Sequence, residues 1–272
     1  MPVIKCGEID IEYYDEGGGP PLLMIMGYAG QALSWGEPIM TELRKSFRTI
    51  RLSNRGTGDS ERPSAQFTVR DMAGDAVALL DALGIEKVHV FGVSMGGMIA
   101  QELVLAYPER VDGLVLGCTA AGGPTMVLAD AEVREWMTPV PGLSREELVR
   151  KAWPAITTQE MIDDGVFLNE MLAVSLAKPT PLDTVLKQAV AIASFNTVDR
   201  LPTIDKPTLV IHGDADRLVP IENGRIVHGQ IPGARLEVIP GAAHMFFWEQ
   251  PSESAEIVTS FVSAVRTTTD VQ

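Results

Sequence analysis

The chain has 272 residues, 22 Lys and Arg against 36 Asp and Glu for a formal net charge of -14, and 46% hydrophobic content. That apolar content can bury a sizeable core, and the length suits one large α/β domain or a domain carrying an insertion. The negative balance, spread along the chain as a solvated surface, repels phosphate backbones and anionic lipid; nucleic acid is excluded as a partner, and with no apolar run of about eighteen residues so is a membrane span.

The sequence opens with Met1-Pro2-Val3-Ile4-Lys5-Cys6, which lacks the basic segment, apolar run and cleavage site of a secretory leader, so a cytoplasmic enzyme is expected. Pro2 to Cys6 and Ile9 to Tyr14 read as a strand pair around a turn, and Pro21 to Met26 as a buried strand. A glycine-rich loop precedes a predicted helix from about Ser34 to Lys45 and a strand from Arg48 to Leu52. Thr68 to Leu83 is helical, with Met72, Ala76, Leu79, Leu80 and Leu83 on one face. A strand Val88 to Phe91, a helix Met95 to Tyr107 and a strand Val111 to Leu116 continue an alternation that predicts an α/β fold, a mostly parallel sheet flanked by helices.

From about Pro124 to Arg200 the alternation stops. Helical patterns at Val127 to Met137, Arg145 to Trp153 and Leu182 to Ser194, without a convincing strand, predict an inserted helical cap over residues 124–200. The core is then discontinuous, residues 1–123 and 201–272. It resumes with a strand at Thr208 to Ile211, a helix Ile221 to Ile231, a strand Arg235 to Ile239 and a closing helix Pro251 to Arg266, after which a polar tail frays. Cys6 and Cys118, far apart and in no CxxC arrangement, read as free buried thiols rather than a disulfide or a zinc site.

Gly92-Val93-Ser94-Met95-Gly96 lies between a predicted strand and a predicted helix, the context of a nucleophile elbow. A serine hydroxyl needs a histidine to take its proton, and the histidine needs a carboxylate to fix its tautomer. Of the four histidines, His89 and His212 fall in predicted core strands and His228 in a helix, whereas His244 sits in the turn Pro240-Gly241-Ala242-Ala243-His244 just past a strand's carboxyl end, where catalysis collects in such sheets. Gly213-Asp214-Ala215-Asp216 puts two carboxylates at the same edge. Asp216 is preferred as the partner because the loop must extend past the strand end, with Asp214 better placed as a turn former. Oxyanion donors are expected from the Met95 amide at the helix start and from Gly27-Tyr28-Ala29-Gly30, with the Tyr28 amide favoured. A metal reading of His212, Asp214 and Asp216 is disfavoured by strand alternation, and no phosphate-binding glycine loop is present, so no metal and no cofactor are implied.

Together with Asn54-Arg55-Gly56-Thr57-Gly58-Asp59-Ser60, these motifs resemble the α/β-hydrolase superfamily over nearly the whole chain. The resemblance is to small capped esterases and lactonases such as aclacinomycin methylesterase, 3-oxoadipate enol-lactonase and acyl-homoserine lactonases of this fold. Two positions depart from that pattern: Met26 stands where many members have histidine, and Ser53 where many have aspartate. The Arg55 to Ser60 loop is expected to hold the oxyanion loop in place.

The expectation is therefore a carboxylic ester or lactone hydrolase acting through a Ser94 acyl-enzyme, with His244 shuttling the proton, Asp216 orienting it and a small-molecule ester or lactone as partner. The same motif set also serves cofactor-free perhydrolases (haloperoxidase-like) and carbon-carbon bond hydrolases, and a non-enzymatic small-molecule receptor is the alternative of another class. Met126, Trp136, Met137, Trp153, Met161, Phe167 and Met171 in the cap could shape an apolar pocket, though for about two-thirds of them packing between cap helices is the expectation. Homo-oligomerisation is left open.

Overall fold

Eight strands make one sheet in the order β1-β2-β4-β3-β5-β6-β7-β8. The computed structural model describes residues 2–138, 140 and 142–269. In chain order the strands are β1 (Val3–Cys6), β2 (Ile9–Gly17), β3 (Pro21–Ile25), β4 (Arg48–Leu52), β5 (Val88–Val93), β6 (Val111–Gly117), β7 (Thr208–Gly213) and β8 (Arg235–Ile239). The first two pair antiparallel, β2 pairs antiparallel with β4, and from β4 onward every pairing is parallel.

Parallel strands covered on both sides must be apolar on both faces, and the central ones are. Leu23, Ile25, Val90, Leu114, Leu116 and Val210 join one buried cluster, while Leu22, Met24, Phe91, Val115, Leu209 and Ile211 join the other. The helices α1 (Glu37–Leu43), α2 (Val69–Ala82) and α3 (Met95–Ala106) precede the break in alternation. The first cluster takes residues of α2 and α3, and the second takes residues of α1.

Between β6 and β7 the described residues form α4 (Ala131–Met137), α5 (Arg145–Ile156), α6 (Gln159–Asp164), α7 (Val166–Ala177) and α8 (Leu182–Ala193), with no strand longer than the isolated bridge Gly122 to Asn196. The sheet then resumes with α9 (Ile221–Gln230), α10 (Phe246–Glu249) and α11 (Pro251–Thr269). Hydrogen bonds tie the inserted helices to the core: Gln31 Nε2 donates to Val174 O at 2.9 Å, Lys187 Nζ to Pro63 O at 2.7 Å and Thr157 Oγ1 to Glu249 Oε1 at 2.9 Å. Aromatic rings add to the seam, with Phe167 4.0 Å from the Trp248 ring and 4.8 Å from Trp153.

Several predicted elements shift. The single helix expected from Ser34 to Lys45 is a 3-10 turn, Ala32–Trp35, followed by α1, because Gly36 at φ 76° turns the chain out of helix between them. The helix expected from Val127 begins only at Ala131, where Asp130 caps it by accepting from Val133 N. The helices α6 and α7 fall within the stretch expected to be helical, at residues for which the sequence pattern delimits no individual helix; the four-residue α10 was unforeseen. The tail expected to fray after Arg266 stays helical to Thr269, while Met1 and residues 270–272 lie outside the described residues. Among the described residues no helix is long and apolar enough to cross a membrane.

Candidate active site

Ser94 joins β5 to α3 with φ 56° and ψ -122°, a sparsely populated conformation that costs an L-residue about 1–3 kcal/mol. The turn fits only because its flanks lack side chains: a Cβ on Gly92 would overlap the Gly96 carbonyl, and one on Gly96 would overlap the Ile25 carbonyl. The strained peptide is held by Ser94 N donating to Gly117 O at 2.9 Å and by Thr119 Oγ1 donating to Ser94 O at 2.7 Å. Among the described residues, three other than glycine have positive φ: Ala29, Ser94 and Cys118. All three line one cavity of about 320 Å³, whose wall is otherwise mostly apolar.

His244 and Ser94 both line that cavity. His244 Nδ1 lies 2.7 Å from Asp216 Oδ2, and Asp216 Oδ1 accepts the Leu218 and Val219 amides at 2.9 Å each. With three donors on one buried carboxylate, Asp216 is held ionised: burial pushes its pKa up, but the His244 charge and the bonds from His212 and His244 outweigh it and bring it to about 2. Burial would lower His244, yet the Asp216 charge and hydrogen bond raise it well above 6.5. Asp214 does not reach the imidazole; its Oδ1 accepts from Gly241 N at 2.6 Å and pins the His244 turn to β7's loop.

The other histidines stay apart from the cavity. His212 is fully buried on β7, donates from Nε2 to Val219 O at 2.8 Å and sits 3.4 Å from Asp216 Oδ2, bracing the loop that carries the acid. His89 is buried in β5, and His228 lies on α9. The grouping weighed from sequence as a metal set, His212, Asp214 and Asp216, does not converge. The donor atoms that do lie together, within 4.8 Å, belong to Cys118, Asp216 and His244, and the last two already spend theirs on each other.

Tyr28 and Met95 both line the cavity. Met95 is the first residue of α3, where amides have no acceptor within the helix. The loop carrying Tyr28 passes over the serine: a Cβ on Gly27 would stand 3.0 Å from Ser94 Cβ and 3.4 Å from Oγ. It is fixed from below by Asn54 Nδ2 donating to Met26 O at 2.9 Å, while Arg55 makes a two-point pair with Asp75 on α2 at 2.6 Å.

Several residues of this site were not legible as such. Cys118, expected only as a buried thiol, lies beside His244 at the end of β6; its place at the same sheet edge as Ser94 and Asp216 was the signal. The strained Ala29 peptide is clamped from α8 and the turn before it, its N–H donating to Gln188 Oε1 at 2.8 Å and its carbonyl accepting from Thr180 Oγ1 at 2.9 Å. No local pattern marks either partner. Of the seven apolar residues weighed between β6 and β7, Met126, Met137, Trp153 and Met171 line the cavity, more than expected. Trp136 instead packs under Arg217, Phe167 lies between two tryptophans, and Met161 packs on the second core cluster.

The family profile described as "alpha/beta hydrolase fold" matches residues 20–165 and 171–251. A putative carbamate hydrolase RutD of Azorhizobium caulinodans is 30% identical over 97% of this chain and 99% of its own length. A putative non-heme chloroperoxidase of Synechocystis is 29% identical over 96% and 100%. Among solved structures, the enol-lactonase of Burkholderia xenovorans superposes with a TM-score of 0.85 at 24% identity, covering 96% of this chain and all of that one. A thermophilic esterase of Thermogutta terrifontis superposes with a TM-score of 0.84 at 26% identity, covering 97% and 99%.

Proposed function

This chain belongs to the alpha/beta hydrolase fold family, and from that premise we propose that it is a serine hydrolase of carboxylic esters or lactones, with Ser94 as nucleophile, His244 as base and Asp216 as its orienting acid. The observation that carries the reading is the convergence of strain and charge. The three described non-glycine residues at positive φ line one cavity, and the His244–Asp216 pair opens onto it. Strain that persists at one place in a fold is retained where geometry matters more than stability.

In this mechanism Asp216 accepts a hydrogen bond from the His244 Nδ1–H, which leaves Nε2 free to take the proton of Ser94 as Oγ bonds to the substrate carbonyl carbon. The carbonyl π pair moves onto oxygen, and the amides of Tyr28 and Met95 receive the resulting charge. Collapse expels the alkoxide, which takes the proton from His244. Water then repeats the sequence on the acyl-enzyme and releases the acid. The helices at 124–200 act as a cap, supplying Met126, Met137, Trp153 and Met171 to an apolar subsite.

The relative named a chloroperoxidase favours one second reading, perhydrolysis of the same acyl-enzyme with hydrogen peroxide in place of water. The test is a panel of 4-nitrophenyl esters and lactones, with and without peroxide, on the wild type and Ser94→Ala. Turnover that disappears in the variant supports the proposal, and peracid formation exceeding hydrolysis selects the second reading. Absence of any turnover by the wild type, with tight binding of a small ligand, refutes both.

A further inference from the structure

Resting on the hydrolase reading and narrowing it, we propose that Arg145 is a substrate-binding residue for a carboxylate, so that the substrates are esters or lactones carrying a second, ionised carboxyl group beside an apolar body. In a chain with 36 acidic residues against 22 basic ones, the described cavity wall contains no Asp or Glu and two cations, Arg145 and Lys178. Lys178 is committed elsewhere. Its Nζ donates to Glu12 Oε1 at 3.1 Å and pairs with Asp59, closing the insertion onto β2.

Arg145 has no such partner. Six other described arginines are also less than fully exposed, namely Arg44, Arg48, Arg51, Arg55, Arg110 and Arg200, and each meets a carboxylate within 4 Å. Arg145 meets none among the described residues. Its Nε donates to Ser175 Oγ at 3.0 Å, which anchors the planar group between α5 and α7, and its two Nη atoms donate to no described protein acceptor. A partly desolvated guanidinium is costly to hold unpaired, and the geometry left open is the two-nitrogen fork that a carboxylate fits.

The guanidinium lines the same cavity of about 320 Å³ as Ser94 and His244. It and Tyr28 influence each other's ionisation: burial pushes the Tyr28 phenol up and Arg145 pulls it back, while burial lowers Arg145 and Tyr28 opposes that. Tyr28 follows Gly27, the residue that overlies Ser94. A carboxylate on Arg145 would therefore place the far end of a short substrate at a fixed distance from the scissile carbonyl, with Val149, Ala152, Trp153 and Met171 against its carbon chain.

The experiment compares ester pairs in which one member carries an added carboxylate: 4-nitrophenyl monoesters of glutaric and adipic acid against 4-nitrophenyl pentanoate and hexanoate, and 4-acetoxybenzoate against phenyl acetate, each ratio corrected for the uncatalysed rate of its members. The wild type is expected to favour the anionic member of at least one pair by about tenfold or more in kcat/KM. Arg145→Gln should lower that preference by about 10- to 100-fold, chiefly through KM of the anionic ester, and Arg145→Lys should fall between. A wild-type ratio near one, or a ratio unchanged in Arg145→Gln, overturns the proposal. Calorimetric binding of 4-phenylbutyrate against 4-phenylbutanamide to Ser94→Ala decides the carboxylate preference independently. If no ester is turned over yet the acid binds and the amide does not, the hydrolase reading fails and Arg145 stands; equal binding refutes Arg145. Melting of each variant separates a lost contact from a lost fold.

Discussion

Asp216→Asn is the substitution that separates an orienting acid from a merely buried one. In the wild type, Oδ1 receives two backbone amides at 2.9 Å and Oδ2 faces His244 Nδ1 at 2.7 Å. An asparagine must keep its single oxygen on the Leu218 and Val219 amides, because turning its NH2 toward them strands two buried donors at about 1–3 kcal/mol each. The NH2 then faces His244 Nδ1, which can only accept, so the imidazole proton moves to Nε2. A protonated Nε2 cannot take the Ser94 proton. The penalty for recovering the productive tautomer, together with the lost stabilisation of the imidazolium, predicts a fall in kcat of roughly 10³ to 10⁴, about 4–5.5 kcal/mol of barrier. Removing a carboxylate whose pKa is held at about 2 also removes stability, so the melting temperature of the variant is read alongside kcat to keep a lost fold from passing as lost chemistry. Asp214→Asn is the internal control: its oxygen can still accept from Gly241 N, and kcat should stay within about threefold. Steady-state hydrolysis of a 4-nitrophenyl ester reads both. Asp216→Asn retaining more than about a tenth of wild-type kcat, or Asp214→Asn falling as far, would refute the assignment.

Two further outcomes follow from ionisation. His244 works only unprotonated, so kcat/KM should rise with pH through its pKa, and because Asp216 sets that value well above 6.5 the acid limb should lie on the alkaline side of an ordinary histidine; Asp216 itself, at about 2, contributes nothing to that limb. A limb centred at or below 6.5 would show that the imidazolium is not stabilised in the free enzyme. The thiols should be inert in the folded protein: burial, with Asp75 and Asp10 adding, lifts Cys6 to about 11, and burial also raises Cys118 against the pull of His244. At pH 8 the Cys6 thiolate is then about a thousandth of the total, so a disulfide reagent should label neither cysteine natively and both after unfolding. Cys118 lines the cavity yet is fully buried, so a fast first equivalent that abolishes hydrolysis would show that a reagent reaches its sulfur through the cavity.

The parts of the molecule legible from sequence are those where backbone geometry restricts residue choice. Ser94 needs glycine two residues to either side because neighbouring carbonyls occupy the space of a Cβ. The central strands β3, β5 and β7 read as unbroken apolar runs because helices cover both faces. Helix boundaries were readable where a cap was strong: Thr68 accepts from Asp71 N, and α2 starts as the pattern indicates. They failed where a glycine reversed the chain, at Gly36, and across α6 and α7, which split at Gly165 in the left-handed region and of which α7 is apolar nearly all round.

Recognition in this fold is written differently from chemistry, and that is why Arg145, Gln188 and Thr180 escape a reading along the chain. The groups proposed for the chemistry each end a strand, so the sheet delivers them to one edge whatever the helices do. The groups that face them from the insertion belong to separate helices and turns, at positions where a charged or amide side chain is ordinary on a solvated surface. Only the packing of α5 against α7 turns Arg145 inward, and only the seat of α8 over the Ala29 peptide gives Gln188 a backbone to hold. Substitutions on those helices can therefore alter which carboxylate or chain length is accepted while leaving Ser94, Asp216 and His244 in register. The two proposals together predict that the chemistry and the choice of substrate are separable by mutation, and the ester pairs measure the second against the first.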